Sequence, residues 1–406
     1  MKVLLAATLL FSALSLPGQD WPQYLGPHAN GLTEGRIHSD WQAQAPKELW
    51  RKQIGNGCGS FAIAHGRALT IGNEGDADTL WCLDAKTGEV VWKHSYPEPL
   101  DPKMYAGGAN ATPLVAYKHV YVLSKSGRLA CYRLADGELI WEKHYEDDFK
   151  GKAPDWGYSA SPVIYNKQLL ISPCSRETSL MALNPATGET LWANSFRARP
   201  GYAAPVITKH KGRDCALVFH GRRLVGYDLE AKGEVMFEQL WRTSYDINAS
   251  NPHYLDEKVF FASGYGMGYG VISVDKARPK ILHKEPDTRL IFQNSLLVDG
   301  NIIAVFGDKN IDAELISMDM ASGKINWKSD MPGTRGSILQ VGENQLLILS
   351  ETGALITGKY DAKGFQKEGQ LDILPSLCWA PLAYADGMVF ARNNKGEAVC
   401  LELSAQ

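Results

Sequence analysis

The phrase Cys82-Leu-Asp84-Ala-Lys-Thr-Gly88-Glu-Val-Val-Trp92 returns along the chain as Cys131-Tyr-Arg-Leu-Ala-Asp-Gly137-Glu-Leu-Ile-Trp141 and Ala182-Leu-Asn184-Pro-Ala-Thr-Gly188-Glu-Thr-Leu-Trp192. A looser copy, Asp319-Met-Ala-Ser-Gly323-Lys-Ile-Asn-Trp327, follows. Trp92, Trp141, Trp192 and Trp241 stand 49, 51 and 49 residues apart, and Trp50 precedes the first by 42. A fixed period of this size marks a repeat architecture, in which each period is one supersecondary unit. Each unit opens on a small or Pro-containing entry (Ala111, Ala160, Ala203), continues through two β-rich runs, and closes on a tryptophan strand. Between the last two strands an Asx side chain faces its own backbone and Gly supplies a positive φ, which makes a tight hairpin. Four short strands per unit read as an antiparallel meander.

Degenerate units fill the rest of the chain. With Trp50, Trp92, Trp141, Trp192, Trp241, His283, Trp327 and Phe365 as outer-strand positions, the count is eight blades. That is about 45 residues per blade, a normal blade length. The last unit stops after EAVCLEL without a tryptophan strand, whereas Lys47-Glu-Leu-Trp50-Arg-Lys-Gln-Ile54 has no unit before it. The expectation is an all-β, eight-bladed propeller of four-stranded antiparallel blades, whose ring the N-terminal strand closes. Closure removes the edges that an open sheet exposes.

The expected organisation is a secretory leader at 1–15, a lead-in at 16–46 and the ring at 47–406. The leader begins with Lys2, runs VLLAATLLFSAL and reaches Ala13 and Ser15. It is too short for a membrane span and has signal-peptide order, which points to a periplasmic or secreted protein. An uncleaved anchor is the alternative. The first cysteine is Cys58, so no lipid-bearing cysteine follows the cleavage point. The net charge of −3 and the absence of a long Lys/Arg run exclude a nucleic-acid footprint.

Seven cysteines leave at least one unpaired. Cys82, Cys131 and Cys400 take a slot that Ala182 fills in another blade, which marks small core residues. Cys58 and Cys378 hold equivalent positions on blades one and eight. They are either a disulfide across the seam or two free thiols.

These repeats resemble the pyrroloquinoline quinone (PQQ)-like β-propeller superfamily over essentially residues 47–406. Trp21-Pro-Gln-Tyr-Leu-Gly-Pro27, with Gly31, is similar to the lead-in of secreted bacterial members, although Leu25 stands where those carry arginine. The resemblance implies one of two functions. One is a quinoprotein alcohol or sugar dehydrogenase, with PQQ and Ca²⁺ in the central funnel. The other is a non-catalytic ring that binds protein, as in outer-membrane protein assembly. Fold alone does not choose.

PQQ chemistry needs a hard cation held by oxygen ligands and a base near the substrate. The chain has no adjacent cysteine pair, and eight plain blades consume its length. It also lacks HExxH, GxSxG and a phosphate loop; Gly264-Tyr-Gly-Met-Gly-Tyr-Gly270 fails the dinucleotide spacing and reads as a hairpin in blade five. The expected function is therefore a monomeric, exported protein-binding or scaffold module without catalytic residues, metal or cofactor. The alternatives are a PQQ- and Ca-dependent dehydrogenase and a polysaccharide-binding accessory. Residues just before each inner strand should ring the channel mouth: Tyr105, Asn110, Tyr158, Tyr202, Tyr245, Asn248, Arg289, Asn294, Arg335 and Trp379. Tyr, Trp and Arg at such a mouth have the makeup of a binding hot spot.

Overall fold

The repeat resolves into eight four-stranded antiparallel units in the computed structural model, which describes residues 19–103, 105–276 and 278–403. Blades one to seven span 62–97, 114–144, 163–193, 206–240, 253–285, 296–330 and 336–372. Blade eight joins 383–402 to the N-terminal strand Lys47–Gln53, with Trp50 opposite Cys400. The ring is thus closed by non-covalent pairing of the two ends of the chain. The leader lies outside the described residues. Among the described residues one short helix, Tyr145–Phe149, interrupts the strands.

The repeated phrase forms the joints between blades. Asp84 Oδ1 accepts the backbone N–H groups of Lys86 (3.1 Å) and Thr87 (2.9 Å), which shapes the hairpin before the outer strand. Gly88 follows at φ 69°, and a Cβ there would lie 2.6 Å from the Trp50 ring. Gly137 and Gly188 stand in the same relation to Trp92 and Trp141, and Gly323 to His283. Glycine is therefore required twice over, for its φ and for the ring lying on it. The indole N–H of Trp50, Trp92 and Trp141 donates to Ala85, Leu134 and Pro185 carbonyls of the following blade, each at 2.9 Å. Seven apolar clusters result, six of them between consecutive blades; the seventh gathers blades seven, eight and one together.

Two joints depart from the expected tryptophan pattern. In blade four Phe237 occupies the register position, opposite Gly226, and Trp241 lies just beyond the outer strand. Trp241 still packs across the joint, with its ring 4.8 Å from Phe261. In blade seven the register position belongs to Gly369 rather than Phe365, which sits nearer the hairpin opposite Tyr360. A Cβ on Gly369 would lie 2.7 Å from the ring of Trp41, so the lead-in delivers the missing indole from outside the blade.

Cys58 and Cys378 are free thiols, as are the other five cysteines. The seam disulfide is not formed: Cys58 faces the central cavity, while the Cys378 Sγ turns to the Ser376 carbonyl at 3.5 Å. The seam is clamped instead by Arg392, only 1% exposed, which donates to the carbonyls of Ile71 (2.6 Å) and Gly55 (2.7 Å).

Candidate functional site: an aromatic funnel

The first strand of each blade is innermost, and first strands touch between blades eight and one, one and two, and six and seven. The lead-in crosses the end of this channel to which the inner strands run. Trp21 bridges Ile63 of blade one, and the Pro22 carbonyl accepts the Val115 N–H of blade two at 2.7 Å. Leu32–Thr33 then adds in parallel to the inner strand of blade seven, opposite Gln340 and Val341. Between these anchors Leu25 is buried at φ 61°, and Tyr24 faces the interior as a floor. Burial raises the Tyr24 phenol, so it stays protonated.

Above this floor lies a cavity of about 720 Å³ that opens at the other end. Six of the ten expected mouth residues line it: Tyr105, Asn110, Tyr202, Tyr245, Arg335 and Trp379. The other four support it. Tyr158 is buried in the joint of blades two and three, edge-on to Tyr145 at 4.9 Å. Asn248 donates to the carbonyls of His220 (2.8 Å) and Trp241 (3.2 Å). Asn294 clamps Ile338 by donating to its carbonyl and accepting its N–H. Arg289 pairs with Asp308 at 3.2 Å.

Trp156, Tyr265, Phe292, Asp308 and Glu351 also line the cavity, and sequence reasoning missed them. In an antiparallel blade the start of the first strand and the end of the second lie at the same end. Asp308 ends the second strand of blade six and Glu351 follows that of blade seven, so the second-strand ends carried a readable signal. Tyr265 lies in the glycine-rich hairpin of blade five. Trp156 comes from the irregular connection between blades two and three, where no repeat register applies.

Trp156 is held in place at the rim. Its carbonyl accepts from Asn110 Nδ2 (3.0 Å), and its indole N–H donates to Lys103 O (3.2 Å). Its ring meets Tyr202 at 6.4 Å and Tyr245 at 6.1 Å, and Tyr245 meets Tyr265 at 5.5 Å. This arc remains open to solvent, with Tyr245 57% and Tyr265 37% exposed. On the facing wall Arg335 bridges Asp308 (3.1 Å) and Glu351 (3.2 Å) and lies over the rings of Phe292 and Trp379. Burial pushes the Glu351 carboxyl up, but the Thr334 hydrogen bonds and the Arg335 charge outweigh it, and its pKa falls below the usual value. A carboxylate so stabilised is a poor general base. Burial raises the Cys58 thiol to about 12, with Arg392 offsetting part of the effect, so it is no nucleophile at neutral pH.

The donor set does not suit a Ca²⁺–quinone centre. Ca²⁺ takes six to eight oxygen ligands. The cavity wall offers two carboxylates, Asp308 and Glu351, both tied to Arg335, and two side-chain amides, Asn110 and Asn251, which fall short of that shell. Among the described residues no three His, Cys, Asp or Glu side chains gather as metal ligands.

The model of the family described as outer membrane protein assembly factor BamB matches residues 34–263 and 97–329. The chain belongs to this family. Comparison with curated proteins gives no match. Among solved structures, BamB from Moraxella catarrhalis is similar at 10% identity and a TM-score of 0.61, over 89% of this chain and 98% of that one. The quinohemoprotein alcohol dehydrogenase ADHIIG from Pseudomonas putida HK5 aligns at 13% identity and 0.68, over 95% and 81%. The quinohemoprotein alcohol dehydrogenase from Comamonas testosteroni aligns at 10% and 0.67, over 95% and 81%. At these identities the structures share the fold with this BamB-family chain and nothing finer. Among the described residues no helix is long and apolar enough to cross a membrane.

Proposed function

We propose that this chain is an exported, non-catalytic scaffold of the cell envelope that binds a protein partner through the open mouth of its funnel. The observation that carries the reading is the rim itself: Trp156, Tyr245, Tyr265 and Trp379 surround a floored cavity whose buried charges are already paired. Trp156 and Trp379, held by hydrogen bonds of their indoles, stand beside the exposed Tyr245 and Tyr265, and together they supply the aromatic contact area that binding hot spots require. The family's description as an outer-membrane assembly factor agrees with such a role. To test it, the tagged protein is recovered with its partners from the envelope of the source cells. Trp156→Ala should reduce recovery of the partner at least fivefold while leaving the melting temperature within a few degrees. Equal recovery would move the partner site off the mouth.

The similarity to quinohemoprotein dehydrogenases motivates a second reading, a PQQ-dependent alcohol oxidation in the same funnel. Titration with PQQ and Ca²⁺, followed by tryptophan fluorescence and a dye-linked alcohol assay, separates the two. Saturable quenching with dye reduction would favour the enzyme; silence in both would favour the scaffold.

A further inference from the structure

Ser60, Thr112, Ser161, Asn251 and Asn294 each stand two residues before the inner strand of a blade. Four of them bind a neighbouring blade. Ser60 Oγ donates to the Pro381 carbonyl at 2.6 Å, Thr112 Oγ1 accepts the Ser60 N–H at 3.0 Å, and Ser161 Oγ accepts the Thr112 N–H at 3.0 Å. Asn294 makes its two bonds to Ile338. Asn251 makes none. Its side chain is only 5% exposed, it lines the funnel cavity, and both Nδ2 and Oδ1 lack a protein partner. A buried amide unpaired at both ends forfeits the hydrogen bonds it would make in water, so such a group is kept where something else supplies the bonds.

We infer that Asn251 is the anchor of a peptide-binding subsite inside the funnel, which takes an extended, uncharged backbone segment of the partner. This rests on the protein-binding reading and says what enters the mouth. A carboxamide offers one donor and one acceptor side by side, the complement of the C=O and N–H of a peptide strand. On the charged wall Arg289 and Arg335 balance Asp308 and Glu351, so no unpaired charge remains there to receive an ionic group. The chain also shows that its channel accepts extended backbone. At the far end the lead-in pairs Trp21 with Ile63 and Leu32–Thr33 with Gln340–Val341, using free edges of inner strands. An incoming segment would meet the corresponding free edges of blades four and five from the open end, beneath Tyr245 and Tyr265.

The test uses the full chain with ¹⁵N-labelled asparagine and a pool of acetylated, amidated hexapeptides drawn from Gly, Ser, Val and Tyr. The Asn251 side-chain signals, assigned by their loss in Asn251→Asp, should shift saturably. Asn251→Asp retains the shape but replaces the donor with a second acceptor, and should weaken binding at least tenfold with an unchanged fold. Asn251→Ala is a second variant with the same expected loss. No shift with the peptides, or equal affinity in both variants, would overturn the subsite. A shift produced by maltohexaose and not by peptides would overturn it in favour of a glycan. Partner recovery that depends on Trp156 but not on Asn251 would leave the scaffold role standing and remove this subsite alone.

Discussion

The joint between blades one and two and the joint between blades seven and eight solve the same packing problem with different pieces of chain. In the first, Trp92 rises from the outer strand, lies on Gly137 and donates to the Leu134 carbonyl. In the second, Gly369 takes the strand position and Trp41 arrives from the lead-in to cover it. The first joint has a cluster of its own, whereas the second shares one that contains Trp21, Trp41 and Trp50 and extends into blade one. Both joints therefore place an indole against a glycine, and the indole can come from the outer strand or from the lead-in. The lead-in meets this need while it also floors the channel, so ring closure and the shape of the funnel depend on the same segment.

That comparison sets an order of effects. Trp50→Ala should be the most damaging substitution, since its strand both fills a joint and closes the ring. A loss beyond the roughly 3–5 kcal/mol typical of a buried Trp→Ala is expected, and Trp141→Ala should fall within that range. Urea unfolding measures both; a parent-like Trp50→Ala would show that the closure strand carries no special weight. Trp41→Ala should cost about 3–5 kcal/mol although the residue lies outside the repeats. Gly369→Trp in that background should restore at least half of the loss, because it returns the ring to its usual strand position. Failure of rescue would mean that Trp41 serves the lead-in rather than the joint.

A third prediction contrasts the joints with a blade interior. Asp78 is buried in blade one beside Asn73 and Tyr96, and burial, with a contribution from Glu98, raises its pKa to about 6. The folded state binds this proton more tightly than the unfolded state, so the contribution to stability is complete below pH of about 4 and is lost as pH rises through about 6. At 1.36 kcal/mol per pKa unit it amounts to at most about 3 kcal/mol. Asp78→Asn should flatten that part of the stability profile, and Trp41→Ala should leave its shape unchanged. The smallest effects separate the two demands on glycine. Gly137→Ala combines positive φ with a Cβ 2.7 Å from the Trp92 ring, and about 2–3 kcal/mol is expected. Gly212 has φ 79° with open space around it, so Gly212→Ala should cost only about 1 kcal/mol. Equal losses would assign the whole effect to φ.

The ring was legible because the repeated phrase carries its own geometry: an Asx turn, a glycine and an indole at fixed offsets. Blade count and closure by Lys47–Gln53 followed from that register. Where the register degenerates, reading by position erred, as with Phe365 for Gly369 and Trp241 for Phe237, because side-chain volume can be supplied from a neighbouring turn or from the lead-in. The mouth was half legible for a similar reason. Residues before the inner strands follow the repeat, but Trp156 sits in an irregular connection, and Asp308 and Glu351 belong to second-strand ends. The role of the lead-in from Trp21 to Thr33 as a floor was not readable, since it consists of contacts with blades one, two, six and seven, distant in sequence.

The most direct measurement of the functional account is a pair of single photoreactive residues, one replacing Tyr245 at the mouth and one replacing Leu282 on the outer strand of blade five, irradiated in the source cells. Both side chains are exposed, at 57% and 41%. The account expects one dominant envelope-protein adduct from position 245 that disappears with Trp156→Ala, and no such adduct from position 282. An adduct from position 282 with none from position 245 would contradict it and place the partner on the perimeter of the ring.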